Sequence, residues 1–234
     1  DDDAQWGVCD PSQTVGAEAQ RAVMKEILSR WVNFAVGTAP LPESFKGTEA
    51  ALPKNVQSFV GRNIDVRVSY AAGQREPLDD FRSGPLTTNA QGGTNVFSGF
   101  ADAVDCSNQS CQAGSHDVPV TRWTWSNPAS GAVAEFGLVR RDLSQSESVS
   151  VRLASRNVPV NQSVTQTHDL VIRFTDSAGK TAELQSSRVG RIPPMYEGNN
   201  AQEVLSTLSV PLAQLRAEHP ELDWTQVASV QLRM

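Results

Sequence analysis

The sequence predicts a mainly β protein in which residues 74–234 fold as an antiparallel β-sandwich. Short strand-like runs recur in this part, several alternate apolar with polar residues, and hardly any helical pattern interrupts them. Alternation marks a strand with one buried face, as at Leu170, Ile172 and Phe174, and a hairpin loop with Gly179 follows. Short strands separated by turn signals are typical of a sandwich or jelly roll. The predicted strands are 120–125, 133–138, 149–153, 170–175, 181–184, 204–212 and 227–232.

The composition allows a packed core and argues against two classes of partner. The chain has 234 residues, 39% of them hydrophobic and 20% charged, which suffices for one large domain or a modest domain with a smaller unit. Its net charge of −6 repels phosphate backbones, so we expect no nucleic-acid partner. No run approaches the ~18 apolar residues of a membrane-spanning helix, so we expect no membrane span.

Residues 17–36 carry the clearest helical pattern. Apolar residues recur there at spacings of three and four, and Gly37 stands where a C-terminal cap belongs. The other faces mix acidic and basic residues, which favours a helix docked on its own domain over a membrane-surface or partner helix. The apolar stripe comprises Val23, Met24, Ile27, Leu28, Trp31 and Phe34 with Ala35.

A second element upstream of the predicted sandwich is a half-buried strand at 64–70, where apolar and polar residues alternate. One helix and one strand cannot bury a core of their own. We therefore interpret residues 1–73 as the last elements of a larger domain and residues 74–234 as the sandwich. The chain opens on three aspartates with neither Met nor a signal-like apolar stretch, which predicts that an upstream part has been removed.

The three cysteines favour an exported protein. Cys106 and Cys111 bracket four polar residues, a spacing that allows a small disulfide loop, with two unpaired thiols as the alternative. Closing so short a loop is worth about 2 kcal/mol, and such a bridge persists outside the cytoplasm. Cys9 is then left over for a partner in another chain or in a missing segment. We expect a secreted or periplasmic protein.

No catalytic residue is predicted. A nucleophile elbow needs Gly-x-Ser-x-Gly because its strained turn tolerates only small neighbours, and no such pentapeptide occurs. His116 lies beside Asp117 without a positioned nucleophile, so we interpret it as a solvated loop residue. His168 and His219 lie in polar surroundings without metal-ligand spacing. We expect no ester hydrolysis from this chain alone.

Trp123 and Trp125 are the candidate binding residues. Because they lie two positions apart on one predicted strand, they share one side of it. Either both belong to the core, which is the commoner place for an aromatic residue, or they form a solvent-facing platform for a sugar ring.

Four segments of the predicted sandwich resemble a known family. Leu-Asp-Asp-Phe at 78–81 and Thr-Asn-Ala-Gln-Gly-Gly-Thr-Asn at 88–95 resemble the opening of galactose-binding-like jelly rolls in secreted proteins. Residues 170–180 resemble their central hairpin, and the runs from 204 to 232 resemble their closing strands. The resemblance implies a galactose-binding-like jelly roll.

The upstream part resembles a second family. Gln-Arg-Ala-Val at 20–23 opening a helix, a Pro-rich stretch and Val-Arg-Val-Ser-Tyr at 66–70 resemble the tail of secreted bacterial α/β-hydrolases of the esterase/lipase type. The nucleophile region of those enzymes is missing. The resemblance implies a non-catalytic C-terminal part whose sandwich stabilises the enzyme or binds carbohydrate or another polymer. Its partner would be the upstream catalytic domain or chain. The alternative is one chain of a processed hydrolase that completes the active site of a partner chain.

Asp79 and Asp80 are the candidate metal ligands. The jelly-roll resemblance implies a structural Ca²⁺ site, and carboxylate oxygens are suitable ligands for this ion. Adjacent residues in a strand point to opposite faces, so at most one of the two enters a given site. A solvated pair at the domain boundary is the equal alternative, and no other cofactor is expected.

Overall fold

The computed structural model describes residues 17–41, 76–81, 85–105, 120–125, 131–155, 168–190, 192 and 206–234. The chain divides into two compact units, Asp1–Ala71 with Gly198–Asn200 and Ala72–Glu197 with Ala201–Met234. We call the second the β-rich unit.

Four sequence predictions lie outside the described residues. They concern the strand at 64–70, the disulfide between Cys106 and Cys111, the pairing of Cys9 outside this loop and the loop residue His116. None of the helices in the described ranges combines the length and the apolar character that crossing a membrane requires.

In the first unit, helix α1 spans Ala17–Ala35, which confirms the helix predicted at 17–36. Gly37 follows it with a φ of 75°, and its N–H donates to the carbonyl of Phe34 (2.9 Å), so the expected glycine cap is present. Glu26 and Arg30 form an ion pair one turn apart (3.0 Å). The apolar side chains of α1 that remain 37–53% exposed are Met24, Leu28, Trp31, Val32 and Phe34.

Nine β-strands lie in the described part of the β-rich unit. They are β1 (Asn95–Ser98), β2 (Asp102–Asp105), β3 (Thr121–Thr124), β4 (Val133–Gly137), β5 (Ser148–Leu153), β6 (Val171–Asp176), β7 (Thr181–Gln185), β8 (Ser206–Pro211) and β9 (Val227–Arg233). A five-stranded sheet has the order β1-β4-β9-β6-β7, and β2–β3 and β5–β8 form two further pairs. Every one of these pairings is antiparallel. The mainly β, antiparallel prediction is confirmed.

The core of the β-rich unit lies against one face of the five-stranded sheet. β5 and β8 contribute Val149, Val151 and Val210 to the same core, as expected for a β-sandwich. Burying one large apolar side chain contributes about 1.5–3 kcal/mol to folding, so this cluster is a major source of the unit's stability. The apolar sheet residues of this core that are 0–7% exposed are Ala134, Phe136, Ile172, Phe174, Ala182, Leu184, Val227, Val230 and Leu232.

The structure corrects one strand and adds three elements. The strand predicted at 204–212 ends at Pro211, and a helix, α2 (Leu212–Glu218), begins there. Leu212 and Leu215 are both buried and lie one helical turn apart, so a spacing of three replaces the alternation of the preceding strand. β1 and β2 were not predicted because each has only four residues and its two apolar residues are adjacent, so no alternation is visible.

Candidate functional site

Asp79 fixes a buried amide at the start of the β-rich unit. One of its carboxylate oxygens accepts the backbone N–H of Phe81 (2.9 Å), and the other accepts Nδ2 of Asn95 (2.6 Å). Asn95 is only 2% exposed, and its Nδ2 also donates to the carbonyl of Leu86 (3.1 Å). The carboxylate therefore ties Asn95, the first residue of β1, to the chain that precedes it.

Asn89 closes the turn that leads into β1. Its Nδ2 donates to the carbonyl of Gly137 (2.8 Å), and its Oδ1 accepts the N–H groups of Gln91 (3.1 Å) and Gly93 (2.9 Å). A Cβ on Gly93 would lie 2.1 Å from the carbonyl oxygen of Gly137, and Gly92 has a φ of 81°. Both glycines are therefore required by the backbone. The Asn and Gly residues behind the jelly-roll resemblance have structural roles here.

The calcium prediction depends on Asp79 and Asp80. Asp79 is half-buried and Asp80 is exposed, as expected for neighbours that point to opposite faces. Among the described residues, no three His, Cys, Asp or Glu side chains are grouped so that they could hold a metal ion. Since both oxygens of Asp79 already accept hydrogen bonds, these contacts give calcium ligation no support, and it stays a prediction.

Seven aromatic rings of the β-rich unit form a continuous chain of contacts, which we call the aromatic row. Neighbouring centroids lie 5.8–6.4 Å apart, within the range in which aromatic pairs attract one another. The row enters the core at Phe136 and ends at Trp125 and His168. Its members are Phe81, Phe136, Phe97, Trp123, Phe100, Trp125 and His168.

Trp123 occupies the middle of the aromatic row. Its ring lies 5.8 Å from both Phe97 and Phe100 and 6.3 Å from Phe136, and it packs against the core cluster. Its indole N–H is buried, and no group in the described part of the chain accepts a hydrogen bond from it. Like Trp125, Trp123 is half-buried, but it packs directly against the core cluster and touches three aromatic rings, so its indole contributes apolar packing. The core interpretation therefore fits Trp123.

Trp125 differs from Trp123 although both side chains contact Phe100. Trp125 lies one residue beyond the end of β3 and, like Trp123, is half-buried, but only Trp123 packs against the core cluster. It meets Phe100 at 6.3 Å and His168 at 6.4 Å, with interplanar angles of 73° and 79°. Both neighbours meet the indole edge to face, and neither is stacked parallel on it. Trp125 is the better candidate platform of the two tryptophans.

His168 was not predicted as a neighbour of Trp125. It is half-buried and forms an isolated antiparallel bridge with Ile192. Burial lowers the pKa of its imidazole, so the ring is neutral at pH 7. The sequence gives no signal for this contact because the two residues are distant along the chain and no periodicity relates them.

Asp169 anchors the backbone beside His168. Burial opposes its ionisation, but hydrogen bonds from Ser186 Oγ (2.7 Å), the N–H of Ser187 (3.0 Å) and Ser187 Oγ (3.1 Å) outweigh this and hold the pKa of the carboxyl below its usual value. Ser186 is fully buried, and its Oγ also accepts the N–H of Leu170 (2.9 Å). The contacts of the Asp169 carboxylate and of the Leu170 N–H therefore hold the backbone next to His168 in place.

Comparison of this chain with family models, with characterised proteins and with solved structures found no match.

Proposed function

We propose that this chain is the non-catalytic C-terminal part of a secreted serine hydrolase of the esterase/lipase type, and that its β-rich unit is a galactose-binding-like jelly roll that binds carbohydrate. The observation that carries the binding function is the half-buried Trp125 at the end of the aromatic row. An indole held by packed neighbours offers a sugar a flat apolar surface at little cost in side-chain entropy.

The surroundings of Trp125 support a binding role over a purely structural one. Trp123 and Phe100 connect it to the core, so the ring is held in place without being enclosed. Antiparallel sheets are also what a jelly roll requires. In this proposal the sandwich keeps the catalytic domain near a polymeric substrate.

The binding function can be tested by affinity electrophoresis in gels that contain galactan, β-glucan or xylan. We expect at least one polysaccharide to retard the wild-type chain and to retard Trp125→Ala much less. Trp31→Ala is the matched control because Trp31 is an exposed tryptophan of α1 (45%) outside the β-rich unit. Equal retardation of Trp125→Ala and Trp31→Ala would contradict the proposal.

The non-catalytic part of the proposal has a separate test. The purified chain should not hydrolyse short-chain nitrophenyl esters, because no nucleophile elbow occurs in the sequence. Ester hydrolysis that a serine-directed phosphonate abolishes would show that the chain is itself catalytic.

A second candidate is one chain of a processed hydrolase that completes the active site of a partner chain. The observation that favours it is the exposed apolar side of α1, with Met24 and Leu28 each more than half exposed. Intact-mass analysis of the source material would distinguish the two, since this candidate requires a co-purifying larger chain.

A further inference from the structure

Two segments that are distant in the sequence bring an indole and an imidazole together at one end of the aromatic row. Trp125 is placed by β3 and by its contact with Phe100. His168 is placed by the bridge to Ile192 and by the anchored carboxylate of Asp169. The two rings are supported independently, so their arrangement is preorganised.

The imidazole of His168 has hydrogen-bonding capacity to spare. In the part of the chain that the structure describes, no group hydrogen-bonds to either of its ring nitrogens, and neither nitrogen is among the fully buried atoms. A neutral imidazole has one N–H donor and one nitrogen acceptor. A sugar hydroxyl, which is also both donor and acceptor, complements either nitrogen.

The charges near these two rings favour a neutral ligand. Alternation along β3 places Arg122 on the side opposite Trp123 and Trp125. Its guanidinium forms an ion pair with Asp102 across the β2–β3 pair (3.0 Å). Burial is the only cause that lowers the pKa of His168, with no contribution from a described charged group, so a carboxylated sugar would lose hydration there without gaining a counter-charge.

We propose that Trp125 and His168 form a subsite for one neutral pyranose ring, in which Trp125 stacks on the apolar C–H face of the sugar and His168 hydrogen-bonds to one of its hydroxyl groups. The subsite rests on the proposed carbohydrate-binding function and gives it a ligand class. No bond is made or broken in it.

Isothermal titration with oligosaccharides from galactan, β-glucan and xylan tests the subsite, with oligogalacturonate as the anionic probe. We expect His168→Ala to bind the preferred neutral oligosaccharide about tenfold more weakly, which corresponds to about 1.4 kcal/mol. His168→Gln, which keeps a donor and an acceptor, should recover most of the affinity. His219→Ala is the matched control, because His219 is a partly exposed histidine that contacts Glu221 (3.1 Å) elsewhere on the β-rich unit.

The possible outcomes separate this inference from the proposed function. If Trp125→Ala abolishes binding while His168→Ala and the wild type bind equally, the subsite is wrong and the carbohydrate function stands. Oligogalacturonate binding as tight as that of the neutral probes would overturn the neutral class. If no probe binds the folded wild-type chain, the carbohydrate function and the subsite both fail. Far-UV circular dichroism checks that each variant is folded. If His168→Ala does not fold, the affinity of His168→Gln for the neutral oligosaccharide tests the subsite instead: affinity close to that of the wild type supports it, and loss of binding contradicts it.

Discussion

Helix α1 and four of the five strands of the large sheet were predicted from apolar patterns, yet the helix and the sheet bury their apolar residues very differently. Leu28 of α1 is 52% exposed, whereas Leu232 of β9 is 3% exposed. Both patterns predicted the correct element, but a pattern shows only which face is apolar. Whether a face is buried depends on what lies against it. The core of the β-rich unit comes from its own strands and α2, whereas α1 leaves a row of apolar side chains accessible.

The largest expected effect is the contrast between two leucines. Leu232→Ala should lower the free energy of unfolding by about 2–5 kcal/mol, because it leaves a cavity in the core. Leu28→Ala should cost less than about 1 kcal/mol, because half of the side chain is already in water and alanine favours a helix. Urea unfolding followed by circular dichroism measures both. Equal losses would mean that the exposed side of α1 is covered in solution.

A second contrast concerns the glycine turn that leads into β1. Gly93→Ala should cost about 3 kcal/mol, because its Cβ would collide with the carbonyl oxygen of Gly137. Gly179→Ala in the β6–β7 hairpin is the control. A Cβ at Gly179 would meet open space, so only the positive φ of 82° opposes the substitution, and we expect a loss of stability of about 1 kcal/mol. Thermal unfolding of both variants ranks them. A Gly93→Ala variant as stable as the wild type would show that the turn is not built as described.

The sequence was most informative where one residue type recurs with a regular period. Alternation at Leu170, Ile172 and Phe174 correctly predicted β6, and the stripe at 17–36 correctly predicted α1. β1 was missed because four residues give too little alternation. Leu212 was assigned to the preceding strand because it continues the alternation of Leu208 and Val210, although the helix already begins at this residue.

The candidate site was only partly predictable. Trp125 was named from its chemistry, but its difference from Trp123 depends on where β3 ends and on what packs beside each ring. His168 reaches Trp125 through a non-local bridge, which no local pattern encodes. The buried amides Asn89 and Asn95 are similar: their partners Gly137 and Asp79 are determined by the fold.

A smaller effect is expected at Asp169, and it depends on pH. The folded-state pKa of this carboxyl is depressed, so its stabilisation is present above the unfolded pKa and is lost as pH falls through the folded one. Asp169→Asn should cost about 0.5–1 kcal/mol at pH 7, since solvent screens an exposed carboxylate. The gap to the wild type should narrow below about pH 4, near the ordinary pKa of an aspartate. Urea unfolding at pH 7 and pH 3.5 measures it, and a gap that widens at acid pH would contradict the assignment.

We expect the β-rich unit to fold on its own core and to carry the proposed binding function without α1. The direct test is to remove residues 1–73 and measure the urea unfolding and polysaccharide binding of 74–234. The account predicts one cooperative transition, a free energy of unfolding within about 1 kcal/mol of that of the same unit in the full chain, and unchanged retardation by the preferred polysaccharide. The fragment should also be more soluble, because the exposed apolar residues of α1 are gone. A fragment that is unfolded, or folded but unable to bind, would show that the two parts depend on each other, and the modular account would be wrong.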